Sequence, residues 1–388
     1  MPSNYLLLII SFVVSFGLVW WIHPRIVKIA RMNNIVDKPN ARKLQSEPIP
    51  VLGGVAVFFG MVVGIGFMST FVALPSMLVV VTAMMAMLYT GTMDDVLDLS
   101  PSLRFGIEIA VVLCLIFGGR GNFLIDDFHG LWGIHRIPEW AAWLLTVFAA
   151  VGIVNAINLI DGVNGLCSGY CITACFIFGT FFYCTHNVPM TLLAAVSAGA
   201  LFPFFFHNVF GRTSRMFIGD GGTLVMGIVM AIFVCEVLRY DGDAVFGCGE
   251  QIPFTLAVLC IPVFDTLRVM SMRWWRGVSP FHPDKTHLHH LFIALGCSHP
   301  MTTAAILTLN SGVVFCWWVA AMLGASCEVQ LYLVVGLSAL FTFGLYPVLG
   351  TQLRRNTRFF HWLRWLGYHT HLSRTRFFLM FRNFVDKH

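Results

Sequence analysis

The sequence predicts an all-α fold class, a polytopic transmembrane helical bundle with about 11 spans, from three observations. Hydrophobic residues make up 57% of the 388 residues and charged residues 11%, which is too little charge for the surface of a soluble protein of this length. The mean hydropathy is +0.79. Apolar runs of about 18 to 22 residues recur along the chain, and each is long enough to cross a hydrocarbon core of roughly 30 Å. The composition therefore argues against a soluble two-domain protein.

Eleven spans are predicted where apolar residues continue largely without charge. They lie at 5–22, 51–70, 74–91, 104–120, 139–157, 168–185, 190–207, 222–238, 252–271, 302–323 and 329–350. The first run has no basic residue before it and no small-residue cleavage site after it, so we expect a retained helix rather than a signal peptide. The eleven cysteines are scattered singly and form no CxxC pair, which favours core residues over metal ligands.

Basic residues are concentrated in two stretches, 23–50 and 351–388. An odd number of spans puts both stretches on one side of the membrane, and their excess of Lys and Arg predicts that this side is the cytoplasm. We therefore expect the N-terminus outside, the C-terminus in the cytoplasm, a membrane-embedded domain over 1–350 and a basic cytoplasmic tail over 351–388. In the tail, Phe, Trp and Leu are interleaved with arginines, which is typical of an amphipathic helix on an anionic lipid surface. Nucleic-acid binding is not expected.

Two adjacent carboxylates, Asp94 and Asp95, follow an apolar run over 74–89 that carries no charge. A charge within the bilayer costs roughly 2.5 kcal/mol or more on insertion scales, and such residues usually mark function. Two close carboxylates resist ionising together unless a cation lies between them, so the pair predicts a base or a metal ligand at the membrane surface. An acidic pair that ends a helix and faces water is the alternative interpretation. Other carboxylates at the ends of apolar runs are Asp161, Asp220 and Asp265.

A polar segment closes the predicted span at 139–157. Asn155 and Asn158 are three residues apart and share one face of the last helical turn. The sequence Asp-Gly-Val-Asn-Gly that begins at Asp161 is typical of a turn. With Asn164, four polar side chains lie at the end of a span, where each needs a partner. The segment predicts a binding site for a polar ligand, and an ordinary helix cap and loop is the alternative.

Asp220 lies in a Gly-Asp-Gly-Gly sequence that runs into the predicted span at 222–238. Glycine allows a close approach to the backbone, and a helix N-terminus favours anionic groups. An aspartate at this position fits a site where Mg²⁺, which prefers oxygen ligands, is held beside a phosphate. A tight turn explains the same residues equally well.

Four histidines fall within nine residues of a predicted loop, together with Asp284 and Lys285. They are His282, His287, His289 and His290. We interpret this cluster as a binding site for phosphate or sugar. Zinc is the rival ligand because a His-x-His spacing can chelate it, but no cysteine or glutamate lies nearby in the sequence.

Together, these motifs resemble the polyprenyl-phosphate N-acetylhexosamine-1-phosphate transferase family, and within it the WecA-type branch. The resemblance extends from Val36 through the histidine loop and rests on the order of the motifs. These are Val36-Asp-Lys-Pro-Asn40, Arg42-Lys43, Gly53-Gly54, Asp94-Asp95, Asn158-Leu-Ile-Asp161, Phe217-Ile-Gly219-Asp220 and Ser279-Pro-Phe-His282.

The resemblance implies that 1–350 forms an enzyme of the inner membrane with its site on the cytoplasmic face. It implies transfer of N-acetylglucosamine 1-phosphate from UDP-N-acetylglucosamine to undecaprenyl phosphate, with release of UMP, to initiate a lipid-linked surface glycan. The implied catalytic residues are Asp94, Asp95 and Asp220. The implied substrate-binding residues are Asn155, Asn158, Asp161, Asn164, His287, His289, His290 and Lys43. The expected cofactor is Mg²⁺, with Mn²⁺ as an alternative, held by Asp220 with Asn158. The UDP-sugar, undecaprenyl phosphate and membrane lipids are the expected partners, and a homodimer is left open.

Other functions remain open at this point. Phospho-N-acetylmuramoyl-pentapeptide transferase, or another UDP-2-acetamido-sugar specificity, would use the same class of site, although the His-x-His-His spacing resembles the hexosamine branch more closely. An ion-coupled transporter would also carry membrane carboxylates, but near the midplane and within inverted repeats, and the sequence gives no sign of such a repeat. For an enzyme we expect a single direct displacement, and a covalent route through Asp220 or Asp94 stays open.

Overall fold

The computed structural model describes residues 4–37, 47–242, 245, 251–280, 285–355, 357–369 and 375–387, and these residues are predominantly helical. The helices in chain order are α1 (Asn4–Met32), α2 (Gly53–Met68), α3 (Met77–Leu97), α4 (Pro101–Gly118), α5 (Glu139–Leu159), α6 (Leu166–Cys184), α7 (Val188–Phe210), α8 (Gly219–Leu238), α9 (Gln251–Val258), α10 (Cys260–Trp275), α11 (Leu288–Ala294), α12 (His299–Met322), α13 (Cys327–Ala339), α14 (Leu345–Arg355), α15 (Arg358–His369) and α16 (Arg376–Lys387). A π-helical stretch, Leu340–Gly344, joins α13 to α14. Two short strands, β1 (Val36–Asp37) and β2 (Ile49–Pro50), pair in antiparallel fashion.

The predicted fold class is confirmed, since each of the eleven predicted spans coincides with a helix or a bent pair of helices. Within the described ranges, nine helical stretches are long and apolar enough to cross a membrane. The pair α9–α10, bent by 74° at its break, makes a tenth. The remaining prediction, 51–70, corresponds to α2, which is apolar but has only 16 residues. That is shorter than the roughly 20 residues of a full crossing, so α2 falls short of the length expected of a span.

Helix α8 is the centre of the bundle. Its most apolar 18-residue window is entirely buried inside the protein, and α2, α3, α5, α6 and α9 pack around it. Residues 224–234 are apolar on every side, as expected for a helix surrounded by protein. The first turn of α8, which carries Asp220, is therefore fixed by several neighbouring helices.

Glycines bring the neighbouring helices close to the first turn of α8. A β-carbon at Gly91 of α3 would lie 2.4 Å from the backbone of Asp220, and one at Gly54 of α2 would lie 2.2 Å from the nitrogen of Gly222. Such a close approach between helices requires a residue without a side chain. Gly219 has a φ of +70°, which residues with a β-carbon rarely adopt. Helix packing and the sharp entry into α8 thus account for these glycines.

The segment 212–218 connects α7 to α8 and is tied to the strand pair. The N–H of Phe217 donates to the carbonyl of Pro50 at 2.8 Å, and the N–H of Gly53 donates to the carbonyl of Phe217 at 3.0 Å. These bonds hold the end of β2 and the start of α2 against the residues that precede Asp220.

The tail predicted at 351–388 packs on the bundle. Helix α14 continues across the predicted boundary, and α15 and α16 follow it. Phe360 of α15 joins an apolar cluster with Leu291 of α11. Phe378 of α16 packs against Phe210 of α7, with 4.8 Å between ring centroids. Where one amphipathic helix was expected, the structure has two, α15 and α16, and each contacts helices of the bundle.

Candidate active site

The guanidinium of Arg104, in the first turn of α4, lies where the ends of α3, α5 and α8 meet. Its Nη1 donates to Asp94 Oδ2 at 3.0 Å and to Asp220 Oδ2 at 3.2 Å. Its Nη2 donates to Asn158 Oδ1 at 3.0 Å and to Asn155 Oδ1 at 3.4 Å. Side chains from three helices therefore converge on one cation, and 17% of the Arg104 side chain stays accessible to solvent.

Glu108 of α4 binds two members of this cluster, Arg104 and Asn155. It lies one helical turn after Arg104, is fully buried, and accepts a hydrogen bond from Arg104 Nε at 3.1 Å and one from Asn155 Nδ2 at 2.6 Å. Asn158 Nδ2 in turn donates to Asp220 Oδ1 at 2.9 Å. Each asparagine thus directs its oxygen toward the arginine and its nitrogen toward a carboxylate. A polar network whose members are all paired is rigid, so these side chains hold one another in place.

The adjacent carboxylates Asp94 and Asp95 have different environments. Asp94 accepts from the guanidinium and, through Oδ1, from the N–H of Leu99 at 2.9 Å. Asp95 accepts from the N–H groups of Asp220 at 3.1 Å and Gly221 at 3.3 Å. These groups form the positive end of α8, where a carboxylate is stabilised by the helix dipole. Asp94 therefore faces the shared cation, whereas Asp95 holds α8 against α3.

Asp161 lies beside this network, in the turn after α5. The residue is exposed to solvent by its surface area, although its carboxyl lies close to protein atoms and to Asp220. Burial, together with the nearby charge of Asp220, raises the pKa of Asp161 to about 7. The backbone of Asn164 in the same turn is held by α12, because its N–H donates to His299 Nδ1 at 3.2 Å and its carbonyl accepts from Thr303 Oγ1 at 3.0 Å.

The histidine cluster is anchored by Asp265 of α10. His287 Nδ1 lies 2.9 Å from Asp265 Oδ2, and the N–H of Leu288 donates to the same carboxylate at 3.1 Å. Arg268, which is also buried, donates to Asp265 Oδ1 at 2.7 Å and to the carbonyl of Thr286 at 2.6 Å. The buried carboxylate therefore fixes the start of α11 and the ring of His287 together.

The histidines meet the Asp161 turn. A β-carbon at Gly162 would lie 2.1 Å from Nε2 of His289, so the imidazole is in close contact with the backbone there. Ring centroids of His289 lie 5.7 Å from His287 and 4.2 Å from His290. Burial, with the charge of His290, lowers the pKa of His289 well below its usual value, so this ring is neutral. Nε2 of His287 and Nε2 of His289 are buried without a protein partner, which suits a bound ligand.

The structure brings most of the predicted site residues to one end of the bundle. Asp94, Asp95, Asn155, Asn158 and Asp220 form one hydrogen-bonded network, and Asp161 lies next to it. The histidines lie across the Asp161 turn, whereas Asn164 enters through backbone contacts. Their catalytic and binding roles stay predictions. Lys43 lies outside the described residues, as do His282 and Asp284.

Two residues of the network, Arg104 and Glu108, were not predicted as site members. Both lie in the predicted span at 104–120. Their signal was present in the sequence, because two opposite charges four residues apart inside an apolar run form an ion pair on one helix face.

The oxygens around Arg104 are of the kind that Mg²⁺ prefers. Two carboxylates and two amide oxygens converge on the Arg104 guanidinium. A hard divalent ion such as Mg²⁺ takes oxygen ligands of the same kinds. In the part of the chain that the structure describes, no group of three or more His, Cys, Asp or Glu residues could hold a metal. A divalent ion here would therefore need amide or substrate oxygens besides the two carboxylates. This donor set fits an ion that is shared with phosphates.

Fold and site together define an integral membrane protein with a carboxylate-rich polar centre at one end of a helical bundle. Residues 77–237 match the family model described as glycosyl transferase family 4. The matched segment includes every member of the hydrogen-bonded network around Arg104.

Curated relatives extend the similarity beyond this segment. The chain is 27% identical over 299 residues to the undecaprenyl-phosphate alpha-N-acetylglucosaminyl 1-phosphate transferase of Escherichia coli (strain K12). The aligned residues cover 74% of this chain and 78% of that protein. It is 29% identical over 329 residues to the probable undecaprenyl-phosphate N-acetylglucosaminyl 1-phosphate transferase of Bacillus subtilis (strain 168), covering 84% of this chain and 88% of that protein. A relative from Salmonella typhi with the same name as the Escherichia coli protein is 27% identical over 326 residues, 82% of this chain and 84% of that protein. The predicted resemblance is confirmed as a similarity: over most of its length the chain is similar to proteins named undecaprenyl-phosphate N-acetylglucosaminyl 1-phosphate transferase.

Proposed function

We propose that the protein transfers N-acetylglucosamine 1-phosphate from UDP-N-acetylglucosamine to undecaprenyl phosphate, releases UMP and so initiates a lipid-linked surface glycan. The observation that carries the proposal is the convergence of Asp94, Asp220 and two asparagine amides on Arg104 at the ends of membrane helices. The printed names of the relatives supply the substrate class. The basic residues of 23–50 and 351–388 support an inner-membrane protein with its N-terminus outside and its C-terminus and active site in the cytoplasm.

The charge balance of the network suits phosphoryl transfer. Attack of a lipid phosphate on a diphosphate brings several negative charges together, so catalysis depends on neutralising and aligning them. Glu108 holds Arg104 through Nε, which leaves Nη1 and Nη2 directed at the site. A guanidinium binds two phosphate oxygens side by side, so these two nitrogens exchange side-chain oxygens for phosphate oxygens when substrate enters.

The two adjacent aspartates divide their work in this proposal. Asp94 faces the guanidinium and lies in the last turn of α3, where the headgroup of a lipid with its tail in hydrocarbon would reach it. It accepts the proton of the lipid phosphate, or holds that phosphate through a shared proton, as a general base. Asp95 keeps α8 in register with α3 and so keeps Asp220 opposite Asp94.

Magnesium is the proposed cofactor, with Asp220 and Asn158 as its protein ligands. A bound Mg²⁺ would neutralise the diphosphate oxygens and stabilise the departing UMP. On the donor side, Asp161 and Asn164 line the uridine pocket in this proposal. His287, His289 and His290 contact the phosphates or the sugar, and the unpartnered Nε2 atoms of His287 and His289 support this. Asn155, Asn158 and Lys43 complete the proposed set of substrate-binding residues.

The test uses purified full-length protein in nanodiscs with undecaprenyl phosphate and Mg²⁺. UDP-N-acetylglucosamine and UDP-N-acetylmuramoyl-pentapeptide are supplied in parallel, and UMP and the lipid product are measured. We expect UMP release only with UDP-N-acetylglucosamine, and none after EDTA is added. Asp220→Asn serves as the inactive control.

Two results would contradict the proposal in different ways. Turnover of the pentapeptide donor alone would assign the protein to the other branch of the family. Movement of a substrate across proteoliposomes without UMP would favour the ion-coupled transporter, although the carboxylates lie at helix ends rather than mid-helix.

A further inference from the structure

The tail contains a single acidic side chain, Asp386, among the residues 351–388, which also contain seven arginines and one lysine. Its Oδ1 accepts from three successive backbone N–H groups, those of Arg212 at 3.0 Å, Thr213 at 3.1 Å and Ser214 at 3.2 Å. The hydroxyl of Ser214 donates to the same oxygen at 3.1 Å. Successive N–H groups that point to one spot form a concave anion site, and here a carboxylate of the same chain fills it.

The charge state of Asp386 is consistent with this arrangement. Burial alone would raise its pKa, but the hydrogen bonds from Ser214, Arg212 and Thr213 outweigh burial and lower the pKa of the carboxyl below its usual range. The group is therefore ionised at neutral pH, as an acceptor of several N–H groups should be.

Helix α16 presents Asp386 from a docked position. Val385 and Phe378 are buried, and Phe381 stacks on Phe206 of α7 with 6.0 Å between centroids. Phe384 contacts Trp20 of α1 at 5.6 Å. The last helix of the chain is thus fixed against two membrane helices, and its one carboxylate reaches the segment between α7 and α8.

The same segment also contacts α1 and, through Asn208, the turn that contains Asn164. The carbonyl of Ser214 accepts from His23 Nε2 at 3.0 Å. Asn208 donates to the carbonyl of Met216 at 2.8 Å and accepts from the N–H of Gly165 at 2.6 Å, so it connects the segment to the turn that contains Asn164. Six residues after Ser214 the chain reaches Asp220. A shift of the segment would therefore move the start of α8, whereas the turn that contains Asn164 is also held by α12 through His299 and Thr303.

We propose that Asp386 is a positioning residue: the last helix of the chain, through this carboxylate, holds the segment 212–218 and thereby aligns Asp220 with Arg104 and Asn158. The inference rests on the proposed transferase function. It gives α16 a part in catalysis that acts through the segment 212–218. Because alignment errors of about 1 Å can lower a rate by roughly a hundredfold, a loosened segment affects kcat more than donor binding.

The test compares full-length Asp386→Ala and Asp386→Asn with Asn383→Ala, which changes an exposed residue of the same helix. Hydrogen–deuterium exchange of the peptide that covers 211–218 is measured together with kcat and KM for UDP-N-acetylglucosamine. In Asp386→Ala we expect faster exchange at 212–214 and a kcat lower by about tenfold, with KM changed by less than about threefold. Asp386→Asn keeps one acceptor oxygen and should lie between Asp386→Ala and the wild type. Asn383→Ala should match the wild type.

The outcomes separate this inference from the proposed function. Unchanged exchange at 212–214 in Asp386→Ala would overturn the anchoring, and faster exchange with an unchanged kcat would overturn the positioning role. If Asp386→Ala fails to fold, the same comparison is made with Asp386→Asn. If the wild-type protein releases no UMP with either donor, the transferase proposal fails, and exchange alone still decides whether Asp386 holds the segment.

Discussion

Asp95 of α3 accepts hydrogen bonds from the N–H groups of Asp220 and Gly221. One member of the acidic pair therefore holds the first turn of α8, which contains Asp220. Asp94 and Asp95, which the sequence predicts to share a catalytic role, therefore have different partners in the structure. Asp94 binds the Arg104 guanidinium. Asp95 holds α8 against α3 and so fixes the position of Asp220 relative to Arg104.

The first prediction separates the two aspartates by substitution. Asp94→Asn should lower UMP release by about a hundredfold or more, because the base is lost. It should lower the unfolding midpoint in detergent less than Asp95→Asn does, because Arg104 keeps its other acceptors. Asp95→Asn should lose activity and also stability, because its two carboxyl oxygens accept from the N–H groups of Asp220 and Gly221 and the amide keeps only one acceptor oxygen. Thermal unfolding and UMP release are measured on both variants. Equal stability of the two would contradict the assignment.

Arg104 supplies the second prediction. Arg104→Ala leaves Asp94 and Asp220 without their shared cation, so UMP release should fall by about a hundredfold or more. Arg104→Lys should recover only part of it, because an ammonium keeps the charge but lacks the planar fork. The matched control is Arg136→Ala, because the side chain of Arg136 is 74% exposed and its Nε lies 3.8 Å from Asp127 Oδ2. Activity of Arg104→Ala close to that of Arg136→Ala would remove Arg104 from the mechanism.

The third prediction concerns the anchor of the histidine cluster. Asp265→Asn weakens the contacts that orient His287 and the start of α11, so KM for UDP-N-acetylglucosamine should rise several-fold more than kcat falls. Initial rates at varied donor concentration measure both constants, and Asp127→Asn is the control for removal of an acid distant from the site. A change in kcat alone would argue that the histidines act on the chemical step rather than on donor binding.

The fourth prediction is a pH dependence of stability in the substrate-free protein. The pKa of Asp161 is raised to about 7, whereas an unfolded chain titrates near its ordinary value of about 3.9. The folded state therefore binds the additional proton between these values, and the contribution of Asp161 to stability is complete below about pH 4 and lost as the pH rises through about 7. In Asp161→Asn the unfolding midpoint should therefore fall less between pH 4 and pH 8 than it does in the wild type. Identical pH profiles for the variant and the wild type would show that the carboxyl is not perturbed.

The fold was accessible from the sequence because each span has to be largely apolar to lie in lipid. All eleven predicted stretches coincide with helical elements, including 222–238, in which the apolar residues 224–234 mark the buried centre of the bundle. Length was less reliable, since α2 is short and the stretch at 252–271 is a bent pair. Neither the break nor the short helix changes hydropathy enough to be visible in the sequence.

The sequence by itself determined that this is a membrane protein with acids, amides and histidines at the ends of its apolar helices. It did so because charge in hydrocarbon is costly and therefore conspicuous. Only the tertiary structure decided that Arg104 joins Asp94 to Asp220, that Asp95 holds α8, and that Asp265 holds His287. These pairings join residues far apart in the chain or on successive helices, and they depend on the angles and close contacts between helices. Hydropathy and residue spacing do not specify the angles and contacts between helices.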